Sequence, residues 1–521
     1  MTFSKLSKII TFMIPAIVII VLALSLRGLV GNPGPLQLNS PVWIDNGPFE
    51  LSPERGRYAL LYSLIENHSF HFPVDIARFA TPDLGYANGY FVSLFAPAVS
   101  LTVAPGYLLG RFFGAAQVGT FAVIALFAFL NFLLIQKISI RLGARPLPAM
   151  IAALIFLFAT PAFNYSVSLY QHHISTFLLL SCVLILLQGK GIRNFIAIWF
   201  LIFLSVSVDY PNAFMMLPVA LATLPMVISA RTTASRLNLT IFPRFILGFF
   251  AALILPLILF MWTNYQSYGK YLQLAGTVAS VYDIDQNGRP SPPKNSTEIK
   301  NLQKYTRPDT QHKSLIRFFK TRNLLNGFYI LTVSPDRGIL TYAPLMLFGI
   351  LGIILAYRRR LPYLELILGI ILADFLLYSM WGDPWGGWAF GSRYLIPGFA
   401  FMSVLIALLL TWSKWKVLLI LIITPIFVYS ALVNTAGALT TNAMPPQIEV
   451  LNLEKISGEI QPYTYIRNFT ILAKNQSKSF AYQTFFQHNL TAFQYFWLVF
   501  SCISLPSLAI FIIYAVTKNE S

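Results

Sequence analysis

Apolar residues dominate this chain in runs of about twenty, separated by short polar stretches, and that is the length an α-helix needs to cross a bilayer. Taken in order, the runs predict spanning helices near residues 9–29, 117–136, 147–165, 172–188, 194–208, 212–230, 245–264, 338–356, 362–380, 394–412, 417–437 and 492–516. The pattern predicts an all-α polytopic membrane protein with about twelve transmembrane helices. A long polar stretch, 30–116, separates the first two runs. Within it, Pro53, Glu54, Arg55 and Arg57 open a segment with apolar residues at Leu60, Leu61, Leu64 and Ile65. That spacing predicts a helix lying on the membrane surface, with Glu54 in its first turn, where the helix dipole favours a carboxylate. The apolar stretch 95–113 is interrupted by Pro97 and Pro105. It reads as a second juxtamembrane helix, not as a crossing.

Charge sharpens this picture. The 521 residues are 56% hydrophobic and 11% charged, well below the roughly 25% charged residues of a soluble domain. The net charge of +18 is not gathered on one face or tail, which excludes a nucleic-acid partner. It sits in every second connection: Lys137, Arg141 and Arg145; Lys190 and Arg193; Arg231, Arg236 and Arg244; Arg358 to Arg360; Lys414 and Lys416. Lys5, Lys8 and Lys518 fall on the same side. The positive-inside rule then puts both termini in the cytoplasm and turns 30–116, 265–337, 381–393 and 438–491 outward. The first run is too long for a signal-peptide core and lacks a small-residue cleavage site, so it is expected to remain as the first helix. Cys182 and Cys502 both fall in apolar runs, which predicts neither a disulfide framework nor a zinc site. Nucleotide-binding fingerprints and fixed-period repeats are absent.

That topology gathers the chemistry on the outer side. Asp45, Glu54, Arg57, Tyr58, Asp83, His172, His173, Asp209, Asp336, Arg337, Asp383 and Arg393 all fall there, at or near span ends. Any reaction would run outside the membrane without a nucleotide. A sugar activated by a lipid phosphate suits that setting.

The motifs resemble a known family. ERGRYALLYSLIENHSFHFP, beginning at Glu54, resembles the first outer loop of GT-C glycosyltransferases, which include protein O-mannosyltransferases and the bacterial enzymes that add aminoarabinose to lipid A. Relative to Arg57, Tyr58 and Ala59, Glu54 stands where those enzymes place a catalytic aspartate. NGYFVSLFAPAVSLTVAPGYLLG is similar to a prokaryotic branch of the same loop and lacks the lysine of the lipid A enzymes. LLNGFYILTVSPDRGILTYAPL (324–345), WGDPWGGWAFGSRYLIPGFAF (381–401) and the DYP at Asp209 are similar to further bacterial segments, with Ser392 where proline is usual. The resemblance implies a GT-C-like module over 1–437 in a prokaryotic plasma membrane, followed by an outer loop at 438–491 that matches nothing and a last helix and tail at 492–521.

It also implies the activity: inverting transfer of a sugar from a polyprenyl-phosphate donor to a glycan, lipid or protein acceptor on the outer face. The acceptor needs a base, and Glu54 is the first candidate, with Asp45 and Asp83 as alternates. The leaving phosphate needs positive charge, for which Arg393 comes first, then Arg337 and Arg57. Tyr58, Asp383, Trp385, Trp388, His172, His173 and Asp209 are candidates for the sugar or acceptor. A metal on the His172–His173 pair would need further ligands brought by folding, so no cofactor is obligatory and a divalent cation stays open. The alternative is a lipid-linked sugar flippase or transporter, which would place charges and broken helices near the bilayer midplane.

Overall fold

In a computed structural model of the chain, residues 3–233, 236–291, 319–458 and 460–517 are described. Residues 292–318 of the expected outer loop 265–337, and Lys518, lie outside them. Among the described residues, five helices are long and apolar enough to cross a membrane: Ala116–Arg141, Pro243–Tyr268, Arg393–Trp412, Lys416–Leu439 and Ala492–Val516. Shorter apolar helices include Pro146–Phe158, His172–Gln188 and Ile192–Val208. Three expected spans are broken. The run at 147–165 forms Pro146–Phe158 and the short helix Ala162–Tyr165. The run at 212–230 forms Asn212–Met215 and Leu217–Val227, and the run at 338–356 forms Ile339–Tyr342, a tight turn at Pro344–Met346 and Leu347–Arg358. Pro218 and Pro344 lack the N–H that would bond back to the preceding turn, so each sits at a restart.

Helix Ile396–Trp412 is the core of the bundle, buried along nearly its whole length. Ala116–Arg141, Pro146–Phe158, His172–Gln188, Leu347–Arg358 and Leu364–Ser379 all pack against it. The Asp374 carboxylate accepts from the Gly398 amide at 2.9 Å. It thus satisfies one of the N–H groups that the first helical turn leaves without an intrahelical partner. Helix Pro243–Tyr268 shows the opposite behaviour, exposing Leu247, Phe250, Ile254 and Ile258. Apolar residues left outward on a helix of spanning length are what a lipid-facing helix requires. Helices Ala98–Phe112 and Ala116–Arg141 touch backbone to backbone. A Cβ on Gly119 would lie 2.0 Å from the Gly106 carbonyl oxygen, so the crossing depends on small residues.

The bundle has two unlike ends. At one, Arg145 lies beside Thr411, Arg359 over Trp412 and Lys416 beside Tyr514, so three of the basic connections gather together. A β hairpin, Ile228–Thr233 with Arg236–Ile241, stands where a plain basic connection was expected. At the other end the expected outer loops form one assembly. Leu84–Ala87 pairs antiparallel with Tyr90–Ser93 and with Ala279–Val281, joining the first and second of these expected outer loops in a small sheet. Helix Ser52–Glu66 forms as the spacing predicts, but its surroundings differ. Glu54, Arg57, Tyr58, Ala59, Leu60 and Leu61 are all buried, so it is enclosed by protein and does not lie on the membrane surface. Its polar residues face other outer segments, which the helical period alone does not reveal.

Candidate active site

The segment Leu169–Gln171, between the short helix Ala162–Tyr165 and helix His172–Gln188, ties the site together. Its first residue serves two partners. The Leu169 amide donates to Glu54 Oε1 at 3.1 Å, and its carbonyl accepts from Arg57 Nη1 at 3.4 Å. Gln171 Oε1 accepts from Arg57 Nη2 at 2.7 Å, while Gln171 Nε2 donates to Asp209 at 2.9 Å. Tyr170 lies between two cations: the Arg57 guanidinium is 5.3 Å from its ring centroid and that of Arg393 is 4.7 Å. Arg57 also covers Phe95 at 4.8 Å. Glu54 and Arg57 are one turn apart on the same helix, so one rigid element presents both.

Arg393 opens the buried core helix, and its Nη2 donates to the Gly386 carbonyl at 2.8 Å. The rings of Tyr165 and Tyr394 complete its surroundings at 5.9 and 5.4 Å. Arg57 and Arg393 are both buried, and among the described residues neither is within ion-pair distance of a carboxylate. A buried charge is costly to leave unpaired. Arg393 Nε and Nη1, Arg57 Nε, Glu54 Oε2, the Tyr170 hydroxyl and His172 Nε2 are all buried without a well-aligned hydrogen-bond partner, although the Tyr170 and Tyr394 hydroxyls stand close enough to the Arg393 guanidinium to interact with it. Buried polar atoms are nearly always bonded, so this concentration of open donors and acceptors singles out the site.

A charged lock lies behind Glu54. Arg27, at the end of the first helix, is fully buried. It donates to Glu50 Oε2 at 3.1 Å and to the Gly437 carbonyl at 3.1 Å. Lys478 reaches the other Glu50 oxygen at 3.3 Å, and the Asn442 amide donates to Glu50 at 2.8 Å. Burial acts to raise the Glu50 carboxyl, but Lys478 and Arg27 outweigh it and hold the group below its usual range. Glu54 behaves oppositely. Burial pushes its carboxyl upward, Arg27 offsets part of that, and the Glu50 charge raises it again, so it stands above the ordinary glutamate range. Two carboxylates four residues apart are thereby driven in opposite directions, the pattern that separates an ion-pair partner from a base.

The remaining expected residues do not join this cluster. Arg337 is not open to a phosphate: it donates to the carbonyls of Asp336, Trp385, Gly387 and Met444 at 2.7–3.0 Å. Asp383 accepts from the amides of Trp385 and Gly387 at 3.2 and 2.6 Å, which closes its own turn. Trp385 contributes its carbonyl, and Trp388 donates its indole N–H to Glu449 at 2.8 Å. Tyr58 turns into an aromatic group, 4.3 Å from the Phe49 ring and 5.9 Å from that of Tyr107. His173 faces the bundle, where Nε2 meets the Ala162 carbonyl at 2.7 Å and Nδ1 lies 3.3 Å from Asn131. Adjacent residues on a helix point about 100° apart, so of the pair only His172 reaches the tyrosines. Asp83 accepts from Ser52 at the start of the Glu54 helix. Asp45 is exposed at the edge of a separate cleft. No group of three or more His, Cys, Asp or Glu side chains able to hold a metal occurs among the described residues.

Sequence reasoning missed Arg27, Glu50, Gln171, Tyr165 and Tyr170. The one signal available was the polar run SVSLYQHH between two apolar runs. The outer segment 438–491 was set apart as a loop of unknown role, yet it walls the site. Lys478 to Phe480 pair with Leu26 to Gly28, and Asn442 bridges Glu50 and Ser168.

No protein-family model matches the chain, and no curated protein matches it. Among solved structures it is similar to ArnT from Cupriavidus metallidurans in the apo state, at 12% identity and a TM-score of 0.44, over 98% of this chain and 76% of that one. The same enzyme bound to undecaprenyl phosphate matches at 12% identity and a TM-score of 0.42, over 99% and 75%. The archaeal oligosaccharyltransferase AglB from Archaeoglobus fulgidus, in complex with an inhibitory peptide and a dolichol-phosphate, matches at 14% identity and a TM-score of 0.39. That match covers 94% of this chain and 55% of AglB, so the chain spans about half the length of AglB.

Proposed function

We propose that this chain is a membrane glycosyltransferase that takes a sugar from a polyprenyl-phosphate donor and transfers it, with inversion, to an acceptor at the outer face. The observation that carries the reading is the pair of buried guanidiniums, Arg57 and Arg393. They flank Tyr170 without a carboxylate partner among the described residues, beside a Glu54 carboxylate with one open oxygen. A phosphate monoester anion supplies the charge that such a pair lacks, and the open Nε and Nη1 of Arg393 match two of its oxygens. In the reaction the acceptor oxygen attacks the anomeric carbon and Glu54 takes its proton. The bond from that carbon to the phosphate oxygen breaks, with its electron pair leaving on the phosphate. Arg57 and Arg393 stabilise the charge as it develops. The raised Glu54 carboxyl is a stronger base than an exposed glutamate. Gln171 positions Arg57 and is itself held by Asp209, and no cofactor is obligatory for the step.

The test uses protein in proteoliposomes with a panel of radiolabelled undecaprenyl-phosphate sugars and cell-envelope glycans as acceptors. Transfer by wild type and its loss in a folded Glu54→Gln variant is the expected result. Undiminished transfer by that variant would remove Glu54 as the base. Movement of the lipid-linked sugar across the bilayer without transfer would establish the flippase instead.

A further inference from the structure

The last outer segment and the first enclose a second, separate cleft, of about 280 Å³, lined by residues of both, including Asp45, Asn46, Glu50, Arg467, Gln476 and Lys478. We infer that this cleft binds the saccharide part of the acceptor, an inference that rests on the transferase reading above. A cleft of that size fits about one sugar ring, and it adjoins a larger one of about 640 Å³ through the shared residues Asn46, Gln476 and Ser477.

The lining sorts into groups already engaged and groups left open. Lys478 is engaged: its Nζ donates to the Gly47 carbonyl at 2.9 Å and to the Asp45 carbonyl at 3.3 Å, and pairs with Glu50. Glu50 is engaged with Arg27, Lys478 and the Asn442 amide. The open groups are the exposed Asp45 carboxylate, the side-chain amides of Asn46 and Gln476, and the half-buried Arg467 guanidinium. The last is steadied over the Trp388 ring at 5.8 Å and has no hydrogen-bond or ion-pair partner among the described residues. Two carboxylates and two cations line the cleft, with Arg27 a third cation behind Glu50. What it offers is a mixture of donors and acceptors around a small volume, the requirement of a neutral, hydroxyl-rich ligand.

Its position gives that ligand a use. Glu50 is shared between the cleft and the charged lock behind Glu54, and Asn442 bridges Glu50 to Ser168, next to the Leu169 amide that holds Glu54. The cleft is thus tied through Glu50 and Asn442 to the segment that holds the base.

The full chain is purified in a detergent without a sugar headgroup, since a maltoside would compete for the cleft. Methyl glycosides, short neutral oligosaccharides and inorganic phosphate are titrated while saturation-transfer NMR and tryptophan fluorescence are followed. Undecaprenyl phosphate binding to the same samples is measured as a thermal shift. Saturable binding of a saccharide is expected, weakened about tenfold by Arg467→Ala and by Asp45→Asn. Both variants should keep the wild-type response to undecaprenyl phosphate, which also shows that they are folded. Undecaprenyl phosphate binding with no saccharide binding, or displacement of the saccharide by inorganic phosphate, would overturn the cleft assignment and leave the transferase reading standing. Binding of neither ligand would overturn both.

Discussion

Replacing Arg393 with glutamine separates a phosphate ligand from a structural arginine. Arg393 donates a charged hydrogen bond to the Gly386 carbonyl, worth about 1.5–3 kcal/mol. Its contacts with the rings of Tyr165, Tyr170 and Tyr394 add about 0.5–2 kcal/mol each. Against these stands the burial of a cation without a carboxylate, which costs several kcal/mol. The two sides offset each other in large part, so Arg393→Gln should unfold within a few kcal/mol of wild type in the absence of lipid. With undecaprenyl phosphate the balance changes. Two open donors, Nε and Nη1, gain phosphate oxygens, and their loss removes about 3–6 kcal/mol, or about two to four orders of magnitude in affinity. The assay is thermal unfolding in detergent over a range of undecaprenyl phosphate concentrations. Wild type should be stabilised in a dose-dependent way and the variant should not. A variant that unfolds readily without lipid yet still responds to it would refute the reasoning.

Further expectations follow from the same geometry. Because burial and Glu50 hold the Glu54 carboxyl above the ordinary glutamate range, and a base must be deprotonated to act, transfer should rise with pH through that elevated value. A pH–rate profile with its acid limb at or below the ordinary carboxylate range would contradict the assignment. Arg337→Lys should lower thermal stability, since a lysine cannot serve four carbonyls in three directions, while the folded fraction keeps its undecaprenyl phosphate affinity. Reduced affinity at unchanged stability would return Arg337 to the phosphate site. Gly119→Ala should cost about 1–3 kcal/mol in unfolding free energy, because the new methyl meets backbone and not a movable side chain. An unchanged melting temperature would show that the two helices part without penalty.

The arrangement of apolar runs and basic connections settled much by itself. Helix His172–Gln188 begins and ends where its run does, and three of the basic connections collect at one end of the bundle, because both features are written in local hydropathy and charge. Glu54, Arg57 and Arg393 were legible as residues with chemical potential at outer span ends. Which of the outer charges stay available was not legible. Arg337 and Arg393 look alike in sequence, each beside an outer turn, yet carbonyls from three separate segments enclose the first, while the second keeps two open nitrogens. Asp383 and Glu54 divide in the same way: one closes its own turn, the other is carried into the interior by a helix that the sequence placed on the membrane surface. Arg27 and Glu50 could not be paired from sequence, and neither could either be matched to Lys478 or Asn442, which lie hundreds of residues away. Local pattern decides where a helix forms and which end of it is polar. Whether a charge there is satisfied or left open depends on partners brought from distant parts of the chain, and only the tertiary structure supplies them.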